Sequence, residues 1–328
     1  MTNSEQPQNF LIEDSGINDQ DLRNVARNLA IFINEVAQMP PFEPNVDIEE
    51  LNRKYSSELY PKPLTYTHQV MRYLLESVRD SLLAISNMFH ADPMTFIPAA
   101  ALVRQIAEYS AAVYYISDAS DSAQMRIAKA IDMTKTSLLE NEGGQHHHPD
   151  VRKFYSEGKD RTAGWKGTTD LPKVKERFGG NAASVKRLFE NLPDEKLGKG
   201  YYNRLSGLTH PSVVDLVHAK EMMWRENRPM QSMYYGDAVF NIILGLRCAY
   251  TALARSIQFH VPRTELEYGL LNAKINQFRW FIEELVIRQL SFQKTYSEIV
   301  SEAYKIAGLK EPDGLSFEKQ SGNSPEDH

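Results

Sequence analysis

The stretch FIPAAALVRQIAEYSAAVYYIS, within residues 94–117, is apolar on nearly every side. A helix of that composition has no face to offer water, so it belongs at the centre of a bundle with other helices packed around it. Its two charges, Arg104 and Glu108, stand four residues apart and share one face. Buried charges must be paired, because an isolated buried ion costs several kcal/mol or more.

The flanking sequence supplies the partners. Leu22, Val25, Leu29, Phe32, Ile33 and Val36 follow a three-and-four spacing, which predicts an amphipathic helix over 19–38. The prolines of MPPFEPNV end it. A shorter helix is expected over 47–59 and a long one over 65–91. Asp121 with Gln124 reads as a capping box opening a helix to Glu140. From Asp237 the helical pattern returns, and Thr264 with Glu267 opens a last helix reaching Leu290 or beyond. The fold class expected is all-α, an up-down helical bundle. Residues 1–62 read as an N-terminal helical extension, 63–308 as the main helical domain and 309–328 as a disordered polar tail. Glycine is dense and the apolar period fades over about 141–180, which marks an irregular insertion. Residues 213–235 fit either a short hairpin or irregular helices.

Charge and cysteine bound the function classes. The chain has 328 residues with 37 Lys/Arg against 43 Asp/Glu, a formal charge of −6, so it is not coated in positive charge for gripping nucleic acid everywhere. Residues 151–199 hold twelve Lys/Arg against seven Asp/Glu. That stretch reads either as a solvated connector or as a contact for a polyanion such as RNA. The single cysteine, Cys248, rules out a disulfide within the chain, fits a cytoplasmic home and reads as a small core residue. No secretory signal and no charge-free apolar run of about 18 residues is visible, so no membrane span is expected. His146, His147 and His148 are adjacent, and neighbouring side chains diverge, so they read as an exposed loop. No metal and no cofactor is expected. Met222, Met223, Trp224, Met230, Met233, Tyr234 and Tyr235 form a soft apolar cluster suited to a core or dimer contact.

The stretch YYNRLSGLTHPS, Tyr201 to Ser212, concentrates the chemistry. On an unbroken helix Arg204 and His210 would point about 120° apart. Gly207 weakens the helix between them, and Pro211 suits the first turn of a new one, so a break is expected there. The dipole at a helix N-terminus disfavours an imidazolium, and a neutral His210 can serve as a general base. Arg204 can hold a phosphate and steady its developing charge. Tyr201, Tyr202 and Asn203 add hydrogen bonds or a stacking surface for a base. The same residues also suit a helix corner, with Ser206 bonding the broken backbone, His210 pinning two helices and Arg204 pairing with Glu108.

The combination of FIPAAALVRQIAEYSAAVYYI and GYYNRLSGLTHPS resembles a bacterial all-helical family whose members carry R-x3-E on one helix and Y-x-x-L-S-x3-H on a later one. In this chain those positions are Arg104, Glu108, Tyr202, Leu205, Ser206 and His210. That family resembles the HEPN superfamily, many of whose members are metal-independent ribonucleases with an R-x4-6-H motif, acting as homodimers in toxin or anti-phage systems. The resemblance covers roughly 65–260. It implies an HEPN-like core with Arg204 and His210 as the catalytic pair and Arg104, Glu108, Tyr202 and Ser206 in support. It also implies RNA and a second copy of the chain as partners, or another protein. Leu205 stands where active members usually carry a polar residue, and many HEPN-like domains bind or scaffold instead of cutting.

Overall fold

A computed structural model describes residues 19–89, 96–140, 171–172, 174, 205–206, 209, 228–261 and 264–306. These residues form an all-α fold, with no β-strand among them and one isolated bridge between Pro41 and His260. The helices are α1 (Asp19–Ala37), α2 (Ile48–Lys54), α3 (Pro63–Met88), α4 (Phe96–Ile116), α5 (Ala123–Glu140), α6 (Arg228–Ser256) and α7 (Glu265–Ile306). A 3-10 turn, Ile257–Phe259, follows α6.

α4 is the hub, packed between α3 and α6. Its Val103, Ile106, Ala107, Ala111 and Val113 are buried in the largest core, although Ala101 and Gln105 remain exposed. Small residues let α6 approach it closely. A Cβ built at Gly245 would lie 3.4 Å from the Val103 Cγ1. α1 packs along α3, and its Leu22, Leu29, Phe32, Ile33 and Val36 enter the same core as α4 and α6. α7 lies against α6 and touches α1, with Phe278 stacked on Phe32 at 5.6 Å between ring centres.

Cys248 is buried in this core, as its neighbours in the sequence suggest. Ala238–Phe259 is long and apolar enough by length and composition to cross a membrane, and most of it is buried inside the bundle.

Local signals set the helix ends. The Thr264 hydroxyl accepts from the Glu267 N–H at 3.1 Å, the capping bond its spacing predicts. At α5 the cap falls one residue later than expected. Ser122, not Asp121, accepts from the Met125 N–H at 3.2 Å, because the Asp121 carboxylate is drawn inward to Lys129. α2 stops at Lys54, short of the expected 59, where Ser57 and Tyr60 close a turn on each other. α6 begins at Arg228, with Pro229 in its first turn, where a missing N–H costs nothing.

α3 is capped by another helix. Its Pro63 opens the first turn, and Lys62 offers no side-chain cap. Buried Asn52 of α2 takes that role, its Oδ1 accepting from Leu64 N–H at 2.9 Å and Thr65 N–H at 3.2 Å. Its Nδ2 donates to the Thr65 hydroxyl at 2.8 Å. Asn52→Ala leaves the buried Leu64 N–H without its acceptor and is expected to cost about 1–3 kcal/mol in urea unfolding. A loss under a few tenths would refute the cap.

Candidate functional site

α4 presents Arg104 and Glu108 toward the segment that follows the insertion. Arg104 Nε donates to Glu108 Oε1 at 2.7 Å, the pair their spacing predicts. The two side chains are 20% and 24% exposed, so the pair sits at the edge of the core, within reach of water. Arg104 Nη1 also donates to the Thr209 hydroxyl at 2.8 Å. Thr209 in turn donates to the Ser206 carbonyl at 3.0 Å, a side-chain-to-backbone bond between two helical residues. Leu205 is fully buried in the main core. Leu205 and Thr209 therefore tie their stretch to the bundle, one through the main core and the other through a charged hydrogen bond to α4.

Of the residues singled out from sequence, Arg104, Glu108 and Ser206 are brought together here. Arg204, His210, Tyr201, Tyr202, Asn203, Gly207 and Pro211 lie outside the described residues, as do His146–His148 and the charged residues of 151–199. The side chains of the methionine and aromatic cluster at 222–235 lie outside them too. Thr209 was not singled out. Its signal is its place, a hydroxyl immediately before His210-Pro211 and three residues after Ser206.

A second polar centre lies at the C-terminal end of α4, where loop, helix and turn meet. Glu43 is buried, and its carboxylate takes Arg126 of α5 in two contacts, the Arg126 Nε at 3.2 Å from Oε1 and an Nη2 contact to Oε2. Arg126 Nη1 donates to the Asp121 carbonyl at 2.5 Å, and its guanidinium lies 4.5 Å from the Phe259 ring centre. His68 Nε2 of α3 stands 3.2 Å from Glu43 Oε1, off the direction of a good hydrogen bond. Burial alone would raise the Glu43 pKa, yet His68 and Arg126 outweigh it and hold the carboxyl below its ordinary value.

His260 closes this centre. Burial, with the nearby His68, pushes its pKa down to about 4, and a Met39 backbone contact pulls the other way without the alignment of a full hydrogen bond. The ring sits on a clasp in which the Phe42 N–H donates to the Phe259 carbonyl at 2.9 Å and the Val261 N–H to the Pro40 carbonyl at 3.2 Å.

Beside it, buried Lys129 pairs with Asp121, donates to the Tyr115 carbonyl at 2.8 Å and lies 4.2 Å from the Tyr115 ring centre. Burial pushes the Lys129 pKa down, against the pull of Asp121. Arg255 of α6 pairs with Asp118 at 2.7 Å. Burial would raise Asp118, but the Ser120 hydroxyl and N–H and the Arg255 cation hold it at about 2. This centre joins the 40–43 loop, α3, α5 and the end of α6. Its charges are matched and its bonds run inward, which suits holding helices together.

Among the described residues, no group of three or more His, Cys, Asp or Glu is placed to hold a metal. No family model, curated protein or solved structure matches the chain. The reading of function therefore rests on the chain's own residues.

Proposed function

We propose that the corner built by Arg104, Glu108 and Thr209 supports a metal-independent RNA-cleaving site on an HEPN-like helical core. The observation that carries this reading is the 2.8 Å bond from Arg104 to Thr209, the residue directly before His210. It ties the neighbourhood of the candidate base to an arginine–glutamate pair that water can still reach. His210 takes the proton of a ribose 2′-OH, and the freed oxygen attacks the adjacent phosphorus as the P–O5′ bond breaks. The products are a 2′,3′-cyclic phosphate and a 5′-hydroxyl, which receives a proton as it leaves. Arg204 holds the phosphate and steadies the charge that builds on it. Tyr202 and Ser206 act in support. The basic residues of 151–199 supply the polyanion contact, and the setting is cytoplasmic, in a toxin or anti-phage role.

The test is cleavage of labelled total RNA in EDTA, with thermal melts in parallel. The parent is expected to cut and His210→Ala to fall at least about 100-fold with an unchanged melt. Thr209→Val, which keeps the side-chain shape and removes both bonds, is expected to lose part of the activity. An inert parent ends the proposal.

A second reading, a non-catalytic scaffold or interaction protein, is favoured by one specific fact. Arg104 is already engaged inside the chain by Glu108 and Thr209, as a helix pin would be. On that reading RNA stays intact, while His210→Ala and Arg104→Ala lower the melt.

A further inference from the structure

The link between α1 and α2 lies on the surface. Of residues 40–46, all but Glu43 are exposed. The clasp bonds, Phe42 N–H to the Phe259 carbonyl and Val261 N–H to the Pro40 carbonyl, tie its backbone to the end of α6. Among the described residues no other backbone hydrogen bond joins 40–46 to the rest of the chain. Glu43 is the one side chain it sinks into the fold, where Arg126 and His68 hold it. Pro40, Pro41 and Pro44 fix the φ angles at those positions, which makes the link a stiff strap and not a slack loop. Asn45, at φ 59°, turns it toward Asp47, the cap of α2. A segment with few buried apolar contacts and so few backbone bonds is the kind that opens by itself while a core stays closed.

His260 is the clasp's own residue, opposite Pro41 in the bridge. It is buried, and neither ring nitrogen has a hydrogen-bond partner of good geometry. The groups around it leave a proton there without a counter-charge. From the end of α1 and the strap come the Met39 backbone, out of line, and the Glu43 carboxylate, already engaged by Arg126 and His68. From α3 comes His68, a second imidazole, whose charge opposes one on His260. From α5 comes Arg126, a permanent cation over the ring of Phe259, the residue before His260. Farther along, Lys129 is matched by Asp121, and Arg255 of α6 by Asp118. A proton on His260 therefore adds a buried cation beside other cations, at the point where the two clasp bonds meet.

We infer that residues 40–46 form an acid-released strap: a proton on His260 breaks the clasp, and the strap swings off the end of α6 while the helical core stays folded. Closed, the strap covers Phe259, His260 and Arg126, with Glu43 as its plug. Open, it gives them to water. The direction follows from burial. The ring has a pKa of about 4 in the closed form and an ordinary 6.5 in water, so the open form takes the proton more readily. Its population rises about tenfold per pH unit as pH falls from 6.5 toward 4, and is constant above 6.5. The device is independent of the RNA reading, since it uses no residue of the Arg104–Thr209 corner.

The test is native-state hydrogen exchange of the full chain between pH 6.5 and pH 4.5, with rates corrected for the intrinsic pH dependence of exchange. It compares the Phe42 and Val261 amides with those of buried Val103 and Ile106 in α4. At pH 6.5 the clasp amides are expected to be at least about tenfold less protected than the α4 amides, the mark of an opening smaller than global unfolding. Their protection is expected to fall about 100-fold by pH 4.5, ten for each unit. His260→Leu is expected to keep the clasp amides equally protected at both values, and His260→Met provides the same test should leucine fold poorly. Clasp amides that exchange only as fast as those of α4 overturn the inference, because the whole chain then opens together. So does clasp protection that ignores pH, or an acid response that survives loss of the histidine.

Discussion

Replacing Arg126 by alanine is expected to lower the free energy of unfolding by about 3–5 kcal/mol, a large share of the stability of an ordinary domain. Glu43 is the reason. Its carboxylate is buried, and Arg126 is its main cationic partner, with His68 beside it. Without the guanidinium, a negative charge is stranded among Phe259, α3 and α5, and the Asp121 carbonyl loses a donor as well. Urea unfolding of the parent and of Arg126→Ala, with the denaturant slope compared first, measures the difference. The companion is Glu43→Gln with Arg126→Met. Taking both charges away together is expected to recover much of the loss, because a buried ion pair contributes little net stability over a well-packed neutral pair. A single-variant loss under about 1 kcal/mol would show that water reaches Glu43.

How much of this was legible in the sequence divides by range. The Arg104–Glu108 pair was visible because both partners lie on one helix turn. The same holds for the Thr264 cap and for the apolar face of α1. Their geometry is fixed by 3.6 residues per turn, and any reader of spacing can recover it. The cap at α5 was misplaced by one residue, because Asp121 and Ser122 are both good caps and only the buried Lys129 decides which of them turns inward.

The Glu43 centre was invisible for a stronger version of the same reason. Glu43 and Arg126 are 83 positions apart, and His68 and His260 come from two further elements. Alone, Arg126 and Lys129 read as a cationic helix face in water, since nothing local says that the face is covered. The depth to which α1 enters the core follows the same pattern. Periodicity shows which side of a helix is apolar, and only the packing shows that α3, α4, α6 and α7 share that side's core. In the 204–210 stretch the sequence offered an arginine and a histidine, while the contact seen is made by Thr209, whose role depends on a helix about a hundred residues earlier.

The clasp at His260 gives the chain an acid limit. His260 has a pKa of about 4 in the fold against 6.5 for an ordinary histidine. Between those two values the unfolded chain binds more protons than the folded one, so stability falls as pH drops from about 6.5 toward 4. Above 6.5 the ring is neutral in both states and this contribution is flat. Below 4 both states carry the proton and it is flat again. At 1.36 kcal/mol per pH unit, the full loss is about 3 kcal/mol.

Glu43 acts later on the acid side. Its carboxyl is held below the ordinary value, so the stability it contributes is lost only as pH falls further, through its folded pKa. The descent is therefore expected in two stages, the histidine first and the carboxylate below it. Urea midpoints measured in half-unit steps from pH 7.5 to 3.5 resolve the first stage. His260→Leu fills the same buried space without a titrating group and is expected to remove the slope between 6.5 and 4, leaving the lower stage in place. If the parent keeps the same midpoint at pH 7 and pH 4.5, the ring must reach water or find an acceptor, and the clasp across Pro40–Phe42 and Phe259–Val261 does not seal it.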